Sequence, residues 1–219
     1  MRNRFDTQLE QLSNRLICMG ELCEKAIVNA TLALRDGDLN LAKLVIREDE
    51  EVDHIEKEIE ALCLKLLLQQ QPVAKDLRQI SAALKMITDM ERIGDQASDI
   101  ADIIISAGIS EVTEIGDIAV MAEKVSNMVR KSVEAYVNRD LLLAREVMQE
   151  DDVVDQLFDD IKLKLIRVIA NDQGTQGEKA IDIMMITKYL ERIGDHATNI
   201  AEWVEFSITG VHKDSSTKE

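Results

Sequence analysis

One twelve-residue segment occurs twice in the chain. Residues 91–102 read ERIGDQASDIAD, and residues 191–202 read ERIGDHATNIAE. Eight of the twelve positions are identical, and the other four are Gln/His, Ser/Thr, Asp/Asn and Asp/Glu. A repeat at a fixed distance indicates an internally duplicated architecture, and it constrains the fold more than any other feature of this chain.

The similarity extends upstream of these segments. Residues 37–53 (GDLNLAKLVIREDEEVD) match residues 139–155 (RDLLLAREVMQEDDVVD) at an offset of 102, whereas the quoted segments are offset by 100. The second copy therefore lacks two residues, which we place in the loop at 171–179. The sequence predicts a tandem duplication. The predicted parts are a first unit at 1–108, a second unit at 109–209 and a flexible tail at 210–219.

Each unit is predicted to contain three long helices. The chain has one proline and few glycines, so the turn signals of an all-β fold are missing. Pro72 is placed at the start of the third helix, where its missing N–H costs nothing. Long helices with short loops predict antiparallel neighbours, so the expected fold is all-α, two tandem three-helix bundles. The predicted helices are 6–35, 39–70, 72–107, 114–138, 140–171 and 178–209.

The charge of the chain excludes some classes of function. The formal net charge is −16 for 219 residues, and no basic run is present. Such a chain is a poor candidate for binding nucleic acid or an anionic membrane surface. We find no apolar run of the ~20 residues that cross a bilayer and no signal peptide. With three unclustered cysteines, the expected location is a reducing cytoplasm, without membrane insertion.

The quoted segments each place acids on one side of a helix. At 100° per residue these acids fall within an arc of about 80°, opposite an apolar stripe. The simplest interpretation is a solvated face above a core stripe. However, carboxylates one turn apart repel each other, and no lysine interrupts the arc in either copy. The members of the arc are Glu91, Asp95, Asp99 and Asp102 in the first copy and Glu191, Asp195, Asn199 and Glu202 in the second.

The second helix of each unit shows the same pattern. Two facing helices with carboxylates at one-turn spacing form an oxygen-rich groove of the kind that divalent and trivalent cations require. Gly94 and Gly194 each cost a helix about 1 kcal/mol relative to alanine, which indicates close approach of a backbone or ligand at that level. The acids of the second helix are Asp49, Asp53, Glu56 and Glu60, and the matching positions of the second unit begin with Asp151 and Asp155.

The chain resembles the PhoU family of phosphate-specific transport system accessory proteins. The resemblance is carried by the duplicated ERIGD motif, by the A-[ST]-[DN]-I-A that follows each copy, and by the upstream acidic pairs. The resemblance covers about residues 5–209. It implies two three-helix bundles related by pseudo-two-fold symmetry, and metal bound at the E/D-x-x-x-D motifs. It also implies a negative regulator of phosphate uptake and of the phosphate-starvation response. The implied partners are the ATPase of the ABC phosphate importer and a phosphate-sensing histidine kinase, and we expect a homodimer.

The metal-binding motif of the family matches specific acidic residues of this chain. A divalent or trivalent ion, iron or zinc, as a single ion or a cluster, is the expected cofactor. We expect the second site to be weaker, because Asn199 replaces the charged Asp99. The candidate metal ligands are Asp49, Asp53, Glu91, Asp95 and Asp99 in the first unit and Asp151, Asp155, Glu191 and Asp195 in the second.

Two other classes of function are open alternatives. An enzyme could use paired carboxylates for acid–base work, but the chain has no nucleophile motif, no phosphate loop and no Glu-x-x-His pair, so we predict no enzyme. His196 follows Asp195 but points about 100° away, and is interpreted as a flanking polar residue. A helical scaffold, or a metal-binding paralogue outside phosphate signalling, is the second alternative.

Overall fold

The computed structural model describes residues 2–70, 72–109, 115–171 and 175–211. The described residues form six helices and no strand, as the sequence predicts. Most predicted helix limits are within two residues of the observed ones, and the first helix begins earlier than predicted. The helices are α1 (Arg2–Asp36), α2 (Leu39–Gln70), α3 (Ala74–Ala107), α4 (Ile115–Asn138), α5 (Leu141–Asn171) and α6 (Gly177–Thr209).

The prediction for Pro72 is wrong by two residues. Helix α3 begins at Ala74, and the N-cap is Val73, which is extended at φ −73° and ψ 165°. Pro72 therefore precedes the helix rather than forming its first turn. Its fixed φ suits an extended lead-in as well as a first helical residue, so the sequence does not distinguish the two placements.

The turn between the first two helices is the same in both units. A residue with left-handed backbone follows the first helix, at φ 63° for Gly37 and φ 55° for Arg139. An aspartate then caps the second helix: Asp38 Oδ1 accepts from the N–H groups of Asn40 and Leu41, and Asp140 Oδ1 does the same one repeat later. These caps satisfy N–H groups that the helix itself leaves unpaired. The duplication therefore includes its local hydrogen bonds.

The two residues that the second copy lacks fall between α5 and α6. By sequence alignment, the last residue of α5 corresponds to Gln69 and the first residue of α6 corresponds to Leu77. Between these limits the first unit has seven residues, 70–76, and the second has five, 172–176. Residues 71 and 172–174 lie outside the described residues, so the placement of the gap within the loop stays a prediction.

The two bundles share one apolar core. Within each unit every helix contacts the other two, and between units α1 packs on α4 and α3 on α6. Each helix that crosses the boundary therefore pairs with its own counterpart, as a pseudo-two-fold axis requires. The buried stripe of α3, including Met90 and Ile93, belongs to the same continuous core as Ile193 and Leu190 of α6. The predicted all-α fold of two tandem three-helix bundles is confirmed.

The unit limits at 108/109 and the tail at 210–219 stay predictions. Residues 110–114 of the linker and 212–219 of the tail lie outside the described residues. Helix α3 ends in a left-handed Gly108, whose N–H donates to the last-turn carbonyls, so the first unit closes there in a common C-terminal geometry. Over the described ranges, we find no helix that combines the length and apolarity of a membrane span.

Candidate functional site

The first acidic cluster lies where α2 faces α3. It consists of Asp49, Asp53 and Glu56 on α2 and Glu91 and Asp95 on α3, and all five side chains are half-buried. On α3 these acids lie on the side away from the buried stripe, whose residues include Met86, Met90 and Ile93. The amphipathic period of α3 therefore anchors the helix through its apolar side and directs the carboxylates toward α2 and solvent.

Gly94 allows Asp49 to lie against α3. A Cβ atom at position 94 would stand 2.7 Å from Asp49 Oδ1 and 3.2 Å from Val52 Cγ1. The first distance is shorter than any ordinary contact of a Cβ atom, so only glycine leaves room for this carboxylate. The close approach inferred from the motif glycine is therefore made by a carboxylate of the neighbouring helix.

The environment of Asp49 disfavours its ionised form. Burial, followed by the charges of Asp95, Asp53, Glu91 and Asp99, raises the pKa of Asp49 to about 6. Burial and like charges act in the same direction on a carboxyl group. The pKa values of Glu56 and Glu91 are also raised, in each case first by burial. The cluster therefore concentrates carboxyl groups whose negative charge neighbouring cations offset only in part.

Arg92 is the nearest cation to this cluster. Its Nη1 atom lies 2.9 Å from Asp95 Oδ2, and its Nε atom lies 3.5 Å from Glu91 Oε2. The side chain of Arg92 is 55% exposed, so solvent screens these pairs and their contribution is small. Arg92 therefore contacts the two acids of α3 in this cluster.

The second acidic cluster lies where α5 faces α6, with Asp151 and Asp155 opposite Glu191 and Asp195. Burial, then the charges of Asp195 and Asp155, raises the pKa of Asp151 to about 6, and Thr198 acts in the opposite direction. The glycine contact is looser than in the first unit. A Cβ at Gly194 would stand 3.3 Å from Val154 Cγ1 and 3.7 Å from Asp151 Oδ1.

The two clusters differ in their neighbours. Phe158 and Lys162 occupy the positions of Glu56 and Glu60, and Lys188 occupies the position of Thr88. Lys162 and Lys188 each place Nζ 5.3 Å from the ring centre of Phe158, and Lys188 also pairs with Glu191. A cation over an aromatic face is held electrostatically. The second cluster is thus bordered by a Lys–Phe–Lys arrangement where the first carries additional acids.

The expectation of lysine-free acidic faces is wrong for the second unit. Lys188 lies three residues before Glu191 on the same helix, so its side chain reaches the carboxylate along the surface. The arc of acids defined from the sequence began at Glu191, so it did not include position 188. The second cluster is the less anionic of the two, and the added lysines, more than Asn199 alone, account for the difference.

The polar residues between the clusters join α3 to α6. His196 Nδ1 and Asn199 Nδ2 lie 2.9 Å and 3.1 Å from Asp89 Oδ1. The symmetric contact joins Tyr189, which occupies the position equivalent to Asp89, to Asp99. Asp99 therefore accepts a hydrogen bond from the opposite unit, although it is also among the charges that raise the pKa of Asp49. His196 is part of this seam rather than a flanking residue, and periodicity along one helix carries no sign of that contact.

The donor set fits a hard or borderline cation, because every candidate ligand is a carboxylate. The positions of these carboxylates fit a bound cation less well than their chemistry does. Among the described residues no three His, Cys, Asp or Glu side chains are close enough together to hold an ion between them. Carboxylates would have to turn toward one another for a cation to bind, within the clusters defined above.

The chain is similar to a known protein family and to named relatives over nearly its whole length. The family description "PhoU domain" matches two segments, residues 16–104 and 118–204. A relative from Clostridium acetobutylicum, named a phosphate-specific transport system accessory protein PhoU homolog, is 39% identical over 215 residues, which are 97% of this chain and 98% of the relative. A relative of the same name from Pseudomonas aeruginosa is 34% identical over 94% of this chain and 86% of its own length.

Solved structures show the same similarity. The crystal structure of PhoU from Pseudomonas aeruginosa superposes with a TM-score of 0.88 at 33% identity, over 94% of this chain and 100% of that one. The phosphate transport system regulatory protein PhoU from Streptococcus pneumoniae gives a TM-score of 0.88 at 26% identity, over 96% of this chain and 99% of the other. The similarity therefore extends over both units.

The raised pKa of Asp49 predicts a pH-dependent stability. A carboxyl that binds its proton more tightly when folded stabilises the fold below its unfolded pKa, and this contribution is lost as pH rises through about 6. In chelator-treated protein, Asp49→Asn should therefore be more stable than wild type at pH 7.5 by about 1 to 2 kcal/mol, a value reduced for partial exposure. At pH 5 the gain should be about half as large, and it should become small only as the pH approaches the ordinary aspartate pKa of about 4. Urea unfolding at both pH values, with exposed Glu51→Gln as control, checks this, and a gain independent of pH would contradict it.

The glycine contact predicts a difference between the units. In Gly94→Ala the new Cβ forces the Asp49 carboxyl away from α3 and toward solvent, so its pKa should fall toward the ordinary aspartate value. Gly194→Ala is the matched control, because a Cβ there would meet Asp151 Oδ1 at an ordinary 3.7 Å. Carboxyl NMR titration of both variants measures the two pKa values. An unchanged pKa at Asp49, or an equal fall at Asp151, would show that the glycine does not determine the carboxyl position.

Proposed function

The chain belongs to the PhoU family, and from this premise we propose that it is a regulatory adaptor that represses phosphate uptake and the phosphate-starvation response. The observation that carries the proposal is the match of both repeats and of nearly the whole chain to phosphate-specific transport system accessory proteins. The family consists of regulatory accessory proteins and is not an enzyme class. We place the adaptor in the cytoplasm, where the ATPase of an ABC importer and the catalytic part of a sensor kinase are accessible.

The proposed partners are that ATPase and that kinase. The fold supports an adaptor because its long helices leave two broad faces, one with the acidic clusters and one formed by α1 and α4. The acidic clusters are proposed as a working surface whose charge depends on bound cation. Unneutralised carboxylates attract basic surfaces and repel acidic ones, whereas a bound cation dominates the local electrostatics.

We propose that each acidic cluster binds a divalent or trivalent cation. Asp49, Asp53, Glu91 and Asp95 would hold it in the first unit, and their counterparts Asp151, Asp155, Glu191 and Asp195 in the second. The raised pKa values of Asp49 and Asp151 support this proposal, because burial and then neighbouring carboxylates disfavour the ionised groups, a cost that a bound cation would offset. Iron or zinc is the candidate carried by the family resemblance. The homodimer also stays a prediction.

The adaptor proposal predicts a phosphate-dependent phenotype. A strain that lacks the gene should produce alkaline phosphatase in high phosphate, because repression of the starvation response is lost. Expression of the wild-type chain should restore repression, and purified protein should retain the importer ATPase and the kinase domain in a pull-down. Normal repression in the deletion strain would instead favour a paralogue or scaffold outside phosphate signalling.

The metal proposal predicts unequal sites. Elemental analysis after dialysis against iron, zinc, manganese or magnesium should show bound metal in the wild type and a loss in Asp95→Ala with Asp195→Ala. Asp95→Ala alone should remove more than Asp195→Ala, because Lys188 already offsets charge in the second cluster. Exposed Glu178→Ala is the control for a general loss of negative charge. Metal content equal in the wild type and in all three aspartate variants would reject these ligands.

A further inference from the structure

Two grooves lie along the seam between α1 and α4, on the side of the molecule built by these two helices. Their volumes are roughly 330 and 380 Å³. The first groove includes Ile27, Val28 and Leu32 of α1, and the second includes Ile17 of α1 and Val133 of α4. Both floors are thus mainly apolar, and neither groove includes a residue of the acidic clusters.

The grooves are copies of each other under the internal symmetry. Glu21 in the second groove corresponds to Glu123 in the first at the offset of 102, and Gly20 corresponds to Ala122. The seam between them is tightly packed, since a Cβ on Gly20 would stand 3.2 Å from Val133 Cγ2. Close packing of the two helices fixes the distance between the grooves.

The grooves match in position and in the Glu21/Glu123 pair, whereas Val28 and Leu32 of the first are replaced by Arg130 and Glu134 in the second. A ligand that uses the shared glutamate in both grooves presents two segments in a two-fold arrangement.

The rims of the grooves carry unpaired acids. Glu21 and Glu123 are exposed, and Glu24 contributes to both grooves. Within the described residues none of the three forms an ion pair or side-chain hydrogen bond.

Each groove also includes an arginine, but Arg35 pairs with Asp36 and Arg130 with Glu134, so the unpaired charge of the grooves is negative. Unpaired carboxylates beside an apolar floor favour a segment that carries a basic residue next to an apolar anchor. A second copy of this chain would bring the same unpaired acids to the contact, so this face is a less favourable site for self-pairing than for a basic segment.

We propose that the α1–α4 face docks a two-fold symmetric protein partner, which inserts one helix with apolar and basic residues from each of its two copies into the two grooves. The inference rests on the adaptor function proposed above and deepens it, since it assigns the kind of partner and the surface that receives it. Simultaneous occupation of both grooves makes the second contact intramolecular, so affinity exceeds that of one groove without any new type of contact.

Charge reversal in each groove tests the proposal. The probe is the purified importer ATPase, and its affinity is measured by biolayer interferometry for wild type, Glu21→Lys, Glu123→Lys and the double variant. Both positions are exposed, so circular dichroism should show an unchanged fold. Each single variant should bind at least tenfold more weakly and the double variant should not bind, whereas Glu178→Lys, an exposed site on α6, should stay within about twofold of wild type. Native mass spectrometry should find two ATPase copies for each chain.

The outcomes separate this inference from the function on which it rests. Wild-type affinity in both groove variants, or one ATPase copy for each chain, overturns the inference and leaves the adaptor function in place. Self-association of the wild-type chain that Glu21→Lys abolishes also overturns it, because the face would then receive a second copy. Failure of the wild type to bind the ATPase overturns the proposed partner, and the inference with it.

Discussion

The buried stripe of α3 packs against that of α6, and this contact determines where everything else lies. Met90, Ile93, Leu190 and Ile193 are almost completely removed from solvent in one continuous core. Burial of such side chains is the largest favourable contribution to folding, about 1.5 to 3 kcal/mol for each large aliphatic residue. Because the apolar side of each helix is fixed in this way, the positions of the carboxylates on the opposite side are fixed as well. The location of the acidic surfaces therefore follows from the packing of the core.

The same packing makes the acidic clusters unfavourable in the absence of a cation. Asp49 and Asp151 are half-buried among like charges, and the fold tolerates them because its apolar core is large. A cation would relieve this repulsion, but its effect on a partner has two opposing parts. It could bridge to a carboxylate of the partner, and it would weaken attraction to a basic patch. The grooves of the α1–α4 face include none of the cluster carboxylates, so a cation bound in a cluster would leave the charge of these grooves unchanged.

The period of the apolar residues was sufficient to predict the helices, because each long helix shows its buried side in its own sequence. The repeat likewise predicted the pairing of units and the candidate acids on α2 and α3. Contacts between units were not predictable in this way. The bonds from His196 to Asp89 and from Tyr189 to Asp99 depend on the register of α3 against α6, which no single helix encodes. Lys188 was missed for a simpler reason: it lies on the correct helix, one turn before the motif.

Joining the two repeats in one chain has a consequence for how the sites can change. In a homodimer one gene specifies both copies of a site, so each substitution alters the two together. Here Glu56 and Phe158 occupy equivalent positions but are specified by separate codons, and one is acidic while the other is aromatic. The chain has the geometry of a symmetric dimer, but its two sites are encoded separately. A substitution can therefore remove charge from one acidic cluster and leave the other unchanged.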